Sequence, residues 1–172
     1  MTNHPDITTA RLSLRQFRPE DFAVHRAVVD VDPTVTWAGR RRPVTASLRS
    51  WADRLDGWQR DGFGMWVTEV TASREVIGHC GLQRMADEDE VELGYYLGRA
   101  AWGQGYATEA ARACLAYGFD HCGLPSVVAV VRHDNTASRG VLRKVGMRPE
   151  RDGVFYDADA TLFRLTAAEF RR

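Results

Sequence analysis

The chain has 172 residues, 44% of them hydrophobic and 27% charged, with 23 Lys plus Arg against 23 Asp plus Glu. That describes one ordinary globular domain able to bury a core, without the basic excess of a protein that neutralises nucleic-acid phosphates. No run approaches the ~18 apolar residues that cross a bilayer, and Cys80, Cys114 and Cys122 show no CxxC spacing, so a disulfide framework or zinc site is not expected.

The opening MTNHPDITTARLSL has neither a long apolar run nor a cleavage signal, so no secretory peptide is expected and a reducing cytoplasm fits. From Arg11 to Phe17, Leu12, Leu14 and Gln16 alternate with Arg11, Ser13 and Arg15, the period of a strand with one wet face. Pro19 opens a helix with Glu20 and Asp21 in its first turn, where carboxylates favour the positive end of the dipole. DVDPTVTWAGRRRP reads as a loop, and its Arg40, Arg41 and Arg42 as a solvated cluster. Thr45 or Ser47 caps a second helix to about Arg60, with Leu48, Trp51, Leu55 and Trp58 along one stripe.

After Gly62 and Gly64 come three strands in an antiparallel meander, Met65 to Val70, Glu75 to Met85 and Val91 to Leu97, joined by TASR and ADEDE. The acidic turn, Asp87 to Glu90, suits solvent better than a cation. A third helix runs from Gly105 to about His121 and presents Ala107, Ala111, Cys114 and Gly118, a narrow face that can lie close to a sheet. Val127 to Val131 is a buried strand without polar alternation. Asn135 or Thr136 starts a last helix ending at Gly146, with Ala137, Val141 and Val145 on one stripe. Val154 to Tyr156 and Thr161 to Leu165 are short strands, completing one mixed α/β domain over residues 1–172.

WGQGYATEA, residues 102 to 110, sets two glycines at the mouth of a helix that they would weaken. The first amides of a helix lack partners and point outward, and glycine removes the Cβ that would keep an anion from them. Gly103, Gln104, Gly105, Tyr106 and Ala107 can therefore line up donors, with the Thr108 hydroxyl beside them. A plain helix start is the structural alternative. A Rossmann turn fits poorly, because Thr108 stands at the third glycine and a meander precedes it, and no Lys-Ser/Thr makes it a Walker loop.

Four stretches, RLSLRQFRPEDF, VIGHCGL, ELGYYLGRAAWGQGYATEA and NTASRGVLRKVGM, together resemble the GNAT superfamily of N-acetyltransferases, and within it the RimJ/RimL-type branch. The resemblance implies a mixed, mostly antiparallel sheet of six to seven strands flanked by about four helices. It also implies acetyl-CoA as cosubstrate, no metal, no nucleic-acid or membrane partner, and a monomer or homodimer. The acceptor would be a protein N-terminal amine or a small-molecule amine; a coenzyme A-binding module without turnover is the non-enzymatic reading. By resemblance, the main chain at Leu97, Gly98 and Arg99 pairs with pantetheine, and Trp102 through Thr108 take the pyrophosphate. Two positions depart from the family pattern. Ala100 fills the usual Gln/Arg position before the glycines, and Leu142 stands where many relatives carry a tyrosine acid.

Ser138, four residues before Leu142, lies on the same helix face one turn nearer the proposed cofactor. It is the candidate donor to the thioester sulfur, with Asn135 orienting pantetheine or capping the helix, or doing both. A coenzyme A thiol of pKa about 8.5 leaves tolerably without a strong acid. A lysine-type amine near 10.4 is almost wholly protonated at neutral pH, whereas an α-amine near 7.8 is partly neutral already. Glu92, among apolar residues, is the candidate general base, its alternative a structural ion pair; Glu69 and His79 rank behind it. His79 and Cys80 are strand neighbours that point to opposite faces, so Cys80 is read as core. Trp37, in a loop, is a candidate wall of the acceptor pocket.

Overall fold

The computed structural model describes residues 5–37, 39–85 and 88–172; the predicted acidic-turn residue Asp87 lies outside them. In chain order the elements are β1 (Ile7–Thr8), β2 (Leu12–Arg15), α1 (Asp21–Val29), α2 (Val44–Asp61), β3 (Met65–Val70), β4 (Val76–Arg84) and β5 (Val91–Leu97). There follow α3 (Tyr106–Ala116), β6 (Ser126–Arg132), α4 (Thr136–Lys144), β7 (Arg148–Phe155), β8 (Ala158–Thr166) and α5 (Ala167–Phe170). Among the described residues one eight-stranded sheet runs β1-β2-β3-β4-β5-β6-β8-β7. Every neighbouring pair is antiparallel except β5 with β6.

The sheet exceeds the expected six to seven strands by β1, which pairs with β2, and the C-terminal segment forms a long hairpin rather than two short strands. Its turn places Tyr156 and Asp157 at φ 51° and 61°, the left-handed pair of a tight two-residue connection. The charges along RPERDG hid this strand from a reading by apolar alternation: β7 is exposed over most of its length, and an edge strand tolerates that. Glu88 and Glu90 of the acidic turn are tied to this hairpin by Arg151 and Arg164.

The sheet is covered on both faces. On one, α3 packs against Cys80, Leu82, Leu93 and Leu97, and its Ala110, Ala111 and Cys114 are fully buried. Small residues allow this approach: a Cβ on Gly118 would stand 2.8 Å from Leu82 Cδ1. Cys80 and Cys114 are free thiols with sulfurs 3.5 Å apart in this core.

The opposite face carries α1 and α2 over Phe17, Met65 and Val67. Two expectations fail here. Arg15, assigned to a wet face, is 6% exposed, and donates to Asp21 at 2.7 Å and Glu69 at 3.0 Å. Asp21, in the first turn of α1 as expected, also fastens that helix to the sheet. On α2, Trp51 and Trp58 are buried but Leu48 and Leu55 are exposed. The helix begins at Val44 behind Pro43, without a side-chain cap from Thr45 or Ser47. The apolar stripe is narrower than the sequence implied because Ser47 and Arg54 share the inward face.

Candidate active site

The middle of the sheet comes apart at the β5–β6 junction. β4 and β5 pair from Gly78↔Leu97 to Arg84↔Val91, whereas β5 meets β6 at Glu92↔Val128 alone. The Gly98 amide donates to Ile77 O and the Met85 amide to Glu90 O, which fixes the ladder's phase. By alternation, residues 92, 94 and 96 turn their main-chain groups to β4, and residues 93, 95 and 97 turn theirs away from it. The next rung toward β6 would use the Val130 amide. That amide instead hydrogen-bonds the Glu92 carboxylate, so the ladder stops and the Tyr95 and Leu97 main chain faces a cleft.

This refines the expected backbone surface at Leu97, Gly98 and Arg99. The amide of Gly98 is taken by Ile77 and its carbonyl by the Ala101 amide. The Leu97 carbonyl accepts the Trp102 indole N–H at 2.7 Å. The open donors and acceptors therefore centre on Tyr95 and the Leu97 amide.

A short 3-10 turn, Arg99–Ala101, leads into the glycine bend, with Ala100 exposed on it. Gly103 has φ 74° and Gly105 φ 81°, left-handed values that other residues resist. A Cβ on Gly103 would meet nothing within 4 Å, so the bend's outer side is open. Gln104 is folded back, its side-chain amide donating to Ala100 O at 2.8 Å. Arg11 holds the bend from the far side. It donates to Gln104 O at 2.9 Å and to Glu109 at 2.7 Å, and stacks 4.7 Å over the Tyr106 ring. Gly105, Thr108, Arg112 and Lys144 line an open groove of about 560 Å³ that continues along α3.

Across the cleft on the α3 face, Asn135 caps α4, its Oδ1 accepting the Ser138 amide at 3.0 Å. The Tyr95 hydroxyl lies 2.7 Å from the Ser138 hydroxyl and 3.2 Å from Ser138 O, and its one proton can be given to either. Tyr95 escaped the sequence reading, although the strand phase that singles out Glu92 also places Tyr95 on the opposite face. Burial pushes its phenol well above the ordinary value. Leu142 is 1% exposed and sits in the core, so the position of the missing tyrosine does not open on the cleft.

Glu92 projects from the other face. It is 5% exposed and accepts the Tyr156 hydroxyl at 2.6 Å and the Gln83 amide at 3.0 Å. Burial raises its pKa above the ordinary value, and these hydrogen bonds hold the rise in check. Tyr156 is another participant the sequence did not reveal, since it reaches Glu92 only through the β7–β8 hairpin. Trp37 packs on that hairpin tip, its indole donating to Tyr156 O at 3.2 Å. The other two base candidates are committed elsewhere. Glu69 is ion-paired to Arg15 and Arg74, and His79 shares a buried hydrogen bond with His25 at 2.8 Å. Among the described residues no group of three His, Cys, Asp or Glu could hold a metal ion, and no helix is long and apolar enough to cross a membrane.

A sheet split beside a glycine-led helix, with a buried carboxylate at the split, is the frame of an acetyl-transferring enzyme of the GNAT class. The profile of the acetyltransferase (GNAT) domain family matches residues 11–148, and the chain belongs to that family. It is similar to the uncharacterized N-acetyltransferase p20 of Bacillus licheniformis, 32% identical over 91% of this chain and 89% of that protein. It is also similar to the FsC-acetyl coenzyme A-N(2)-transacetylase of Aspergillus fumigatus, 31% identical over 83% of this chain and 65% of that protein. Among solved structures, an acetyltransferase from Agrobacterium tumefaciens superposes with TM-score 0.85 at 27% identity, covering 94% of both chains. RimJ of Mycobacterium smegmatis in complex with CoA-disulfide has TM-score 0.77 at 24% identity, over 94% of this chain and 84% of that one. That last likeness is one of fold.

Proposed function

We propose that this chain moves an acetyl group from acetyl-CoA directly to an α-amine, such as that of a protein N-terminus. The observation that carries the reading is the position of Glu92 at the split, with Ser138 and Tyr95 facing the same gap from the other side of the sheet. The donor would enter on the α3 face and the amine on the α1–α2 face, meeting where β5 and β6 part.

The chain's residues fit coenzyme A. Gly103 to Thr108 can offer amides and a hydroxyl to a diphosphate, the space at Gly103 being open, and Arg112 and Lys144 supply cations farther along the same groove. The Tyr95 and Leu97 main chain can hydrogen-bond the pantetheine amides as an added strand does. When bound, acetyl-CoA supplies an activated acetyl thioester. Glu92 takes a proton from the amine. With the Tyr95 proton directed to the Ser138 hydroxyl oxygen, the Ser138 hydroxyl donates its own proton toward the departing sulfur. Neither Ala100 nor Leu142 deprives this arrangement of a necessary group, since the cradle is main chain and the thiolate is a stable leaving group.

An α-amine suits the base. A carboxylate already accepting hydrogen bonds from Tyr156, Gln83 and Val130 has limited basicity. It can assist an amine of pKa about 7.8 far more readily than one near 10.4. A small-molecule amine is the second reading, supported by the name of the Aspergillus relative. Thiol release from acetyl-CoA, measured against peptides with free or blocked N-termini, polyamines and lysine side-chain amines, tests both. Blocked peptides bearing a free lysine that react as well as free N-termini would refute the α-amine assignment.

A further inference from the structure

The face that α2 turns toward the sheet carries Ser47, Trp51, Arg54 and Trp58. Ser47, Trp51 and Trp58 are buried, and an arginine in such a stripe sets a charge where an apolar residue would pack. Arg54 Nη2 lies 3.3 Å from His79 Nε2. A guanidinium only donates, so this contact makes Nε2 an acceptor and leaves the His79 proton on Nδ1, facing His25 Nε2 at 2.8 Å. Both imidazoles are kept neutral, chiefly by burial and then by the Arg54 charge; His25 is lowered to about 3. The guanidinium also lies 5.7 Å from the Phe17 ring. These neighbours orient Arg54 without neutralising it.

A cavity of about 220 Å³ between α2 and β4 is lined in part by Asp53, Arg54, Arg60, Asp61, Gln83 and Arg84. Arg60 and Arg84 are both ion-paired to Asp61. Arg54 has no ion pair among the described residues, its hydrogen bond being the one to neutral His79; Asp30 and Asp53 act on it only through their fields. Desolvation lowers its pKa to about 10, so it stays cationic at neutral pH. Gln83, on the cavity wall, reaches Glu92 on the same sheet face.

We propose that Arg54 is an acceptor-binding residue that takes a carboxylate of the substrate, while the substrate amine is presented to Glu92. The acceptor class is then an α-amino compound with a carboxylate near its amine. A free amino acid, or an acidic side chain close to a protein N-terminus, supplies that chemistry. The inference rests on the acceptor approaching over the α1–α2 face, as proposed above.

Calorimetry in the presence of coenzyme A tests it with N-acetylalanine, N-acetylglutamate and N-acetylphenylalanine against their amides. The acids are expected to bind roughly 10- to 100-fold more tightly, as for a desolvated charge-assisted hydrogen bond. Arg54→Met should collapse that preference and Arg54→Lys should restore part of it. In turnover, the acid-over-amide ratio of kcat/KM should fall with Arg54→Met mainly through KM. Parallel assays of free amino acids and of peptides beginning Ser-Asp or Ser-Asn identify which source is used. Equal or absent binding of acids and amides by the wild type overturns the assignment, as does a preference that survives Arg54→Met. If Arg54→Met does not fold, the wild-type comparison decides alone. Coenzyme A binding without thiol release against any amine would strike at the transfer reading instead, and the calorimetric preference would still decide the role of Arg54.

Discussion

The two faces of β5 are built from different materials. Toward α3 and α4 the strand offers main-chain groups, a hydroxyl pair at Tyr95 and Ser138, and a glycine bend. Toward α1 and α2 it offers Glu92 and Tyr96 in a setting of buried histidines and arginines; burial raises the Tyr96 phenol to about 12. Main-chain recognition suits an invariant ligand and leaves side chains free to vary. Buried charge suits proton transfer and discrimination among acceptors, because a low dielectric amplifies every unpaired group.

Changes on the second face should therefore move rate and stability; on the first, changes at the glycine bend should move cofactor affinity and a change at Ser138 the rate. The largest effect is expected from Glu92→Gln, which should lower kcat/KM by roughly 10²- to 10⁴-fold, the usual worth of a general base. The wild-type profile should lose activity as pH falls through the pKa of Glu92. That limb should lie above 4.5, the ordinary value, because burial raises it. A limb that persists in Glu92→Gln would assign the base to another group.

Arg15→Leu should cost about 3–5 kcal/mol of stability in urea titration, because it strands the buried Asp21 carboxylate and leaves buried Glu69 with the exposed Arg74 alone. Burial alone would raise the Asp21 pKa, but hydrogen bonds from Arg15 and the Arg18 amide carry it below the ordinary 3.8. This stabilisation is present above that value and lost as pH falls below it, so wild type and variant should converge in acid.

Gly105→Val forces a β-branched residue to φ 81° beside the cradle and should weaken acetyl-CoA binding by roughly 10- to 100-fold, equivalent to one or two charge-assisted hydrogen bonds. Calorimetry with acetyl-CoA measures it; unchanged affinity in a folded variant removes the cradle from the site. The smallest effect belongs to Ser138→Ala, expected to reduce kcat by about tenfold or less, as the loss of one neutral hydrogen bond allows. An equal effect on the coenzyme A Kd would make Ser138 a binding residue rather than a donor to sulfur.

The glycine bend, the small face of α3 and the order of strands and helices were legible in sequence because each is a local pattern. Glycine spacing, alanine periodicity and apolar runs declare themselves within a dozen residues. The same rules misread Arg15, Leu48 and Leu55, where partners from distant segments decided which positions were buried. They also shortened the two strands of the β7–β8 hairpin, whose exposed edge strand lacks an apolar signature.

Sequence by itself determined the fold class and the glycine bend that opens α3, since both follow from short-range backbone preferences. Tertiary structure alone decided that Glu92 accepts from Tyr156, 64 residues away, that Ser138 meets Tyr95, and that Arg54 faces inward without an ion-pair partner among the described residues. Side-chain pairing across a sheet depends on strand phase and on which elements cover each face. Those are properties of the assembled chain, and the charge state of every group at the split follows from them.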